Sequence, residues 1–268
     1  MKTIDNSRFV PVNGLEMYCE VYGAGQPLIL VHGGFGSVGM FAQLIPQLSA
    51  NRQVIAVELQ GHAHTADIDR PLTYEWMADD IAALIGHFGF ASADVLGYSL
   101  GGGVAQQVAI RHAGLLRKLV VVSAPCKSSG WYPDVLAGQR AITAEFARTW
   151  IGSPMQQAYA SVAPRPEDWT ALAAKTGQLF APDYDWSSEI AKISAPTLIA
   201  AGDADSIRTA HAVEFFELLG GGKKDGGWDG SGMSIARLTI LPGVTHFNIL
   251  SAPQFVPILT QFLDAPMP

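Results

Sequence analysis

The chain predicts an α/β protein: a mostly parallel, eight-stranded sheet flanked by helices, with a helical segment inserted into it. Three observations carry that prediction. Six short apolar runs rich in Val, Ile and Leu recur along the chain, and two further strand-like segments precede them. Amphipathic stretches of helical length fall between the runs. One connection, from Cys126 to about Ile193, carries no strand pattern.

The first two segments, Phe9–Val12 and Leu15–Tyr22, are split by Asn13-Gly14, a dipeptide that favours the two-residue turn of a hairpin. The six runs are Pro27–Gly33, Gln53–Leu59, Ala93–Ser99, Lys118–Ala124, Pro196–Gly202 and Arg237–Gly243. Each is short and apolar on both faces, as parallel strands buried between two helix layers read. Helical stretches are expected at Met40–Leu48, Thr73–Phe88, Leu100–His112, Ala210–Leu219 and Pro253–Leu263. In Thr73–Phe88, Trp76, Met77, Ile81, Leu84, Ile85 and Phe88 recur at helical spacing and predict one buried stripe. Alternation of strand and helix implies right-handed crossovers in one open sheet.

The stretch after Cys126 is different. It holds Trp131, Tyr132, Phe146, Trp150, Tyr159, Trp169, Phe180, Tyr184 and Trp186. Pro133, Pro154, Pro164, Pro166 and Pro182 divide it into short pieces, since proline ends helices. It reads as a helical cap at 127–193 inserted into a core made of residues 1–126 and 194–268. Gly220–Gly232 reads as a flexible loop.

Composition excludes several classes. Charged residues make up 15% of the 268 positions, against about 25% for an average soluble domain. A chain this apolar buries enough surface to offset its ordering entropy. The net charge of −7 argues against a nucleic-acid partner, which needs a basic footprint. No apolar run approaches the roughly 18 residues of a membrane span, and the start has no signal-peptide core, so a cytoplasmic protein with no membrane partner is expected. Cys19 and Cys126 read as buried thiols, and without CxxC, HExxH or clustered His/Cys spacing no metal and no other cofactor is expected.

The chemistry is carried by Gly97-Tyr98-Ser99-Leu100-Gly101, a G-x-S-x-G string. By chance the string arises in roughly one chain in five or six of this size and composition, so context decides. Here it follows a buried strand and opens a helix, the placement a nucleophile elbow requires. The flanking glycines admit a tight turn, and Ser99 stands at the positive end of a helix. A serine hydroxyl needs a base to take its proton. His246 lies three residues past Gly243, after a strand and before the last helix, and so at the carboxyl edge with Ser99. Asp205, in Gly202-Asp203-Ala204-Asp205, is the expected orienting acid, and Asp203 is expected to brace the loop. The order Ser, Asp, His accompanies this motif. An oxyanion needs two N–H donors. Leu100 is one, and Gly34 of His32-Gly33-Gly34-Phe35-Gly36 is the other, with Phe35 as the one-residue alternative.

The chain resembles the α/β-hydrolase superfamily in its capped esterase and cofactor-free haloperoxidase-like branch. The resemblance spans essentially the whole chain and rests on VHGGFGS, VELQGHAHTAD, GYSLGGG, GDAD and GVTHF in order. It departs in two places. Glu58-Leu59-Gln60-Gly61-His62-Ala63-His64-Thr65 stands where the family shows Asp-x-x-Gly-His-Gly-x-Ser, leaving His64 as an oddity near the pocket. The 41 positions from Asp205 to His246 exceed the family's usual spacing, and the surplus is the glycine-rich loop, expected at the amino edge. The resemblance implies a carboxylic-ester hydrolase acting on a small-molecule ester, with a C–C hydrolase, lactonase or perhydrolase using the same triad as alternatives and a non-catalytic small-molecule receptor as the outside case. Because the elbow carries serine, the aspartate-dependent dehalogenases and epoxide hydrolases of this fold are not expected. Phe35, Tyr98, Trp131, Trp150 and Phe247 are the candidate pocket residues, and a homodimer is left open.

Overall fold

A computed structural model describes residues 6–268. The strands are β1 (Ser7–Val12), β2 (Leu15–Tyr22), β3 (Gln26–Val31), β4 (Arg52–Val57), β5 (Ala93–Tyr98), β6 (Leu116–Val122), β7 (Thr197–Ala204) and β8 (Ala236–Thr245). They form one eight-stranded sheet in the order β1-β2-β4-β3-β5-β6-β7-β8. The hairpin β1–β2 and the β2–β4 pair are antiparallel, and every other pair is parallel. Asn13 and Gly14 both take positive φ, 47° and 81°, which is the turn that fits the right-handed twist of a hairpin.

Along β3 and β5 to β7, side chains alternate between two apolar layers. Ile29, Val31, Val95, Leu119, Val121 and Ile199 face α2 (Tyr74–His87), α3 (Leu100–Arg111) and α9 (Thr209–Leu218). Leu28, Leu30, Leu96, Val120, Val122 and Leu198 face α1 (Ile45–Leu48) and α10 (Phe255–Asp264). Burial on both faces is why these strands read as unbroken apolar runs.

Between β6 and β7 lie α4 (Pro133–Arg140), α5 (Ala144–Arg148), α6 (Pro154–Ala160), α7 (Trp169–Phe180) and α8 (Ser187–Ile190). Here proline starts helices rather than ending them. Pro133 and Pro154 occupy the first turns of α4 and α6, where the missing N–H has no intrahelical acceptor to lose. Thr143 and Ser153 cap α5 and α6 through their side chains. Trp131, Ala147, Tyr159, Trp169, Leu172 and Ile190 join the layer that contains α2 and α3.

Two expectations need correction. The stretch Met40–Leu48 is not one helix: a 3-10 turn at Val38–Phe41 is followed by the short α1, whose Pro46 fits only a first turn. Trp76 does not belong to the buried stripe of α2. It is 45% exposed, with the Arg70 guanidinium 5.2 Å from its ring centre. Its neighbour Met77 takes the core position.

The glycine-rich loop joins α9 to β8 at the amino edge. A cavity of about 750 Å³ opens there between the loop and α10, lined in part by Lys118, Leu198, Met233, Arg237 and Phe262. Its one lysine is already engaged: Lys118 Nζ donates to the carbonyls of Phe262, Leu263 and Ala265 at the end of α10. Among the described residues no helix is long and apolar enough to cross a membrane.

At the carboxyl edge α3 is pressed onto the strand ends. A Cβ on Gly101 would overlap the carbonyl oxygens of Val31 and His32, and one on Gly97 would overlap Gly101 O. Backbone on both sides leaves nothing soft to give way. Gly101→Ala should therefore cost about 3 kcal/mol or more, the upper range for overpacking. A urea midpoint equal to that of the parent would show that α3 can lift off the sheet.

Candidate active site

Each of the expected reactive side chains is the first residue beyond a strand. Ser99 follows β5, Asp205 follows β7 and His246 follows β8. Parallel strands end on one edge, so all three emerge together there. Ser99 holds φ 55° and ψ −119°, a left-handed conformation uncommon outside glycine. Its N–H donates to Val122 O at 2.9 Å, and its C=O accepts from Gly102 N at 2.9 Å. The turn lifts Oγ off the sheet.

Oγ of Ser99 lies 3.0 Å from His246 Nε2, and His246 Nδ1 lies 2.9 Å from Asp205 Oδ1. The Asp205 carboxylate is well held. Oδ1 also accepts from Ser206 N at 2.7 Å, and Oδ2 accepts from Ser123 Oγ at 2.6 Å and Gly202 N at 3.0 Å. Burial works to raise the carboxyl pKa. The bonds from His246, Ser123 and Gly202 outweigh it and hold the group below the usual carboxylate range. Asp203 braces the neighbouring strand instead, its Oδ1 accepting from Gly243 N at 2.9 Å and Val244 N at 3.3 Å.

Gly33 to Gly36 form a tight turn closed by Gly36 N donating to Gly33 O at 3.1 Å. Gly34 stands against Leu100: a Cβ there would lie 3.6 Å from Leu100 Cδ1. Leu100 is the first residue of α3, and the first N–H groups of a helix have no intrahelical acceptor. The two expected donors are thus neighbours beside Ser99. Phe35, the alternative donor, takes φ 57° in this turn. Its ring packs edge-on to Trp150 at 5.5 Å and tilted to Trp169 at 5.3 Å. The Trp131 ring centre lies 5.9 Å from that of His246 in an edge-on arrangement, and a β-bridge ties Trp131 to Ile207. The segment between β6 and β7 therefore lies over the carboxyl edge.

Two further candidate pocket residues, Tyr98 and Phe247, also stand next to the His246 ring, at 5.3 Å and 5.4 Å. Tyr98 lies two residues after Leu96 on β5 and so shares its face, which puts its ring in the α1/α10 layer. There its hydroxyl donates to the carbonyl of His246 at 2.7 Å, which fixes the loop carrying the imidazole. Phe247 stands edge-on to His246 at 5.4 Å but is 88% exposed, a rim position. His64 pairs with the buried Glu58 through Nδ1 at 2.9 Å and stacks on Tyr18 at 4.2 Å. Glu58 Oε1 also accepts from Val38 N at 3.2 Å, so this pair braces the turn after Gly36. Ser123 and Tyr98 as supports were missed. The order of the strands, which sets Ser123 beside Asp205, is not written in local pattern.

Residues 28–256 match the model of the alpha/beta hydrolase family, and the chain belongs to that family. A pimeloyl-[acyl-carrier protein] methyl ester esterase of Aeromonas hydrophila is 26% identical over 267 residues, covering 91% of this chain and 98% of its own length. A non-heme haloperoxidase of Rhodococcus erythropolis is 25% identical over 260 residues, covering 87% and 90%. Among solved structures, E-2-(acetamidomethylene)succinate hydrolase superposes with a TM-score of 0.75 at 20% identity, over 97% of this chain and 99% of that one.

Beneath the site two histidines are sealed in the interior. His32 donates from Nδ1 to Gly33 O at 2.7 Å and accepts at Nε2 from Leu59 N at 3.1 Å. His62 donates from Nδ1 to Gln60 O at 2.9 Å, and its Nε2 has no hydrogen-bond partner among the described residues. Burial pushes their pKa values down, to about 3 and about 4, from an ordinary 6.5. Both rings are then neutral in the folded chain and take up protons on unfolding below pH 6.5. Acid therefore favours the unfolded chain, by up to about 1.4 kcal/mol per pH unit for each ring. The urea midpoint should fall as the pH drops from 6.5 towards 4, and His62→Asn should make the fall shallower. A midpoint unchanged between pH 7 and pH 5 would rule this out.

Proposed function

We propose that the protein is a serine hydrolase that cleaves carboxylic esters through an acyl-enzyme. The observation that carries this reading is the hydrogen-bonded chain Ser99–His246–Asp205, 3.0 Å and 2.9 Å long at its two links. Nε2 takes the hydroxyl proton as Ser99 Oγ attacks the ester carbonyl carbon. The carbonyl oxygen becomes an anion beside the N–H groups of Gly34 and Leu100. Such donors are each worth about 2.7–4 kcal/mol in other acyl-transfer sites. The tetrahedral adduct collapses, the C–O bond to the alcohol breaks, and the alcohol leaves with the proton from Nε2. Water then gives a proton to Nε2, attacks the acyl carbon and releases the acid, returning the proton to Oγ. Asp205 holds the imidazole with Nδ1–H towards itself and stabilises the imidazolium.

Aromatic side chains around the turn and over the base, Phe35, Trp150 and Trp131, favour a small to medium apolar ester. The esterase name of the Aeromonas relative agrees with ester chemistry.

Ser99→Ala and His246→Ala should each lower aryl-ester turnover by about 10³-fold or more, and Asp205→Asn by about 10²- to 10⁴-fold, with the fold retained by circular dichroism. Asp203→Asn should stay within about tenfold of the parent, since its carboxylate serves only the strand brace. If Asp203→Asn is the more damaging change, the acid is misassigned. An aryl phosphonate should label the peptide containing Ser99. A lactone and a vinylogous diketone assayed beside the esters discriminate the bond cleaved, and no turnover of any ester would refute esterase activity.

A further inference from the structure

The carboxyl edge carries a fourth polar side chain in the same register as the other three. β5, β6, β7 and β8 are consecutive neighbours in the sheet. The first residue past each is Ser99, Ser123, Asp205 and His246. Only Ser123 has no part in the mechanism above.

Its setting is unusual. The residue is completely buried, and its φ is 53°. A left-handed backbone conformation is costly for a non-glycine residue and persists where its surroundings enforce it. The enforcing bonds are present: Ser123 N donates to Ala200 O at 2.8 Å, and Ser123 Oγ donates to Asp205 Oδ2 at 2.6 Å. A glycine would meet the backbone demand more cheaply, but it would lack the hydroxyl. That hydroxyl bonds the carboxylate oxygen turned away from His246, across 82 positions of chain.

Resting on the reading of Ser99–His246–Asp205 as the reacting group, we infer that Ser123 is a positioning residue that orients the Asp205 carboxylate and tempers its charge. Two donors on Oδ2, the Ser123 hydroxyl and Gly202 N–H, fix the carboxylate rotation and so present Oδ1 to the imidazole. The hydroxyl bond also draws negative charge towards Oδ2. Its removal leaves more of the carboxylate's charge on Oδ1, facing the imidazole. The other titratable groups facing the carboxylate are His246, on the loop after β8, and Tyr98, at the end of β5. Burial and the Asp205 charge keep the Tyr98 phenol protonated well above its usual range, so it does not titrate at working pH.

The test reads the rate at which an aryl phosphonate modifies Ser99 as a function of pH, in the full chain and in Ser123→Ala and Ser123→Gly. The readout needs no knowledge of the natural ester. Both variants lose the hydroxyl, while glycine keeps the left-handed backbone without strain and guards against a misfolded alanine variant. The expected result is a plateau rate lower by about 5- to 20-fold and an acid limb moved up by about half a pH unit or more in both. An acid limb at the parent's pH in either folded variant, or a plateau equal to the parent's, overturns the role of Ser123 while leaving the nucleophile intact. A parent chain that is not labelled at Ser99 overturns the underlying reading and this inference with it.

Discussion

Ser99 occupies a backbone conformation that a residue with a side chain adopts only under constraint, at the point where a buried strand turns into a helix. The turn is so tight that α3 begins directly against the ends of β3 and β5. Cβ atoms on Gly97, Gly101 and Gly102 would run into Gly101 O, the carbonyls of Val31 and His32, and Ala124. The strain at one serine therefore demands glycine at three nearby positions. In return, Oγ reaches the His246 imidazole, and Leu100, the next residue, opens α3. The rest of the site is arranged around an atom whose position is set by backbone packing rather than by a rotamer.

The sheet then does the geometric work. Parallel strands spaced about 4.8 Å apart deliver successive side chains to one edge, but β5 and β8 are three strands apart, too far for Ser99 and His246 to touch along straight paths. The gap is narrowed by a bend inside the last part of β8: Gly243 turns with φ 70°, Asp203 accepts its N–H, and pairing shifts register between Gly202 and Ala204. From the opposite layer, Tyr98 holds the carbonyl of His246. His246 is thus held at two points, its imidazole by Asp205 and its backbone carbonyl by the Tyr98 phenol.

Much of this was legible in the sequence because it is local. Asn13-Gly14 announces its hairpin, apolar runs mark buried strands, and Gly97–Gly101 reads as an elbow from its flanks. Asp205 and His246 follow from one rule, that loops after parallel strands share an edge. Ser123 obeys the same rule without signalling its role, and Tyr98, a pocket candidate from its place in the elbow, ends β5 and supports His246 instead. A lone Ser after β6 is too common to signal anything, and its partner lies 82 positions away on a strand whose adjacency only folding reveals. Tyr98 faces the opposite layer because β5 alternates, and the alternation is visible; what it meets there, a carbonyl 148 positions on, is not. Trp76 failed for a different reason: spacing marks a helical face, but a wide aromatic at its margin remains in water, covered by Arg70.

The aromatic segment between β6 and β7 is bound to this machinery rather than merely laid on it. Phe35 lies within the turn that carries Gly34, in a left-handed conformation that a large residue does not hold unaided. Trp150 and Trp169 clasp its ring. Trp169 is itself fixed, its indole N–H donating to Ala147 O at 3.1 Å and its ring packed on Tyr159. The conformation of the turn and the packing of the inserted helices are therefore mutually dependent. On the proposed reading, side chains that select the ester also set where an oxyanion donor points, so a change in the aromatic wall reaches the rate as well as the affinity. Binding and chemistry become hard to separate by substitution at Trp150 or Trp169. At Ser123 and Tyr98, which face the acid and the base from positions away from these aromatics, the chemistry is separable.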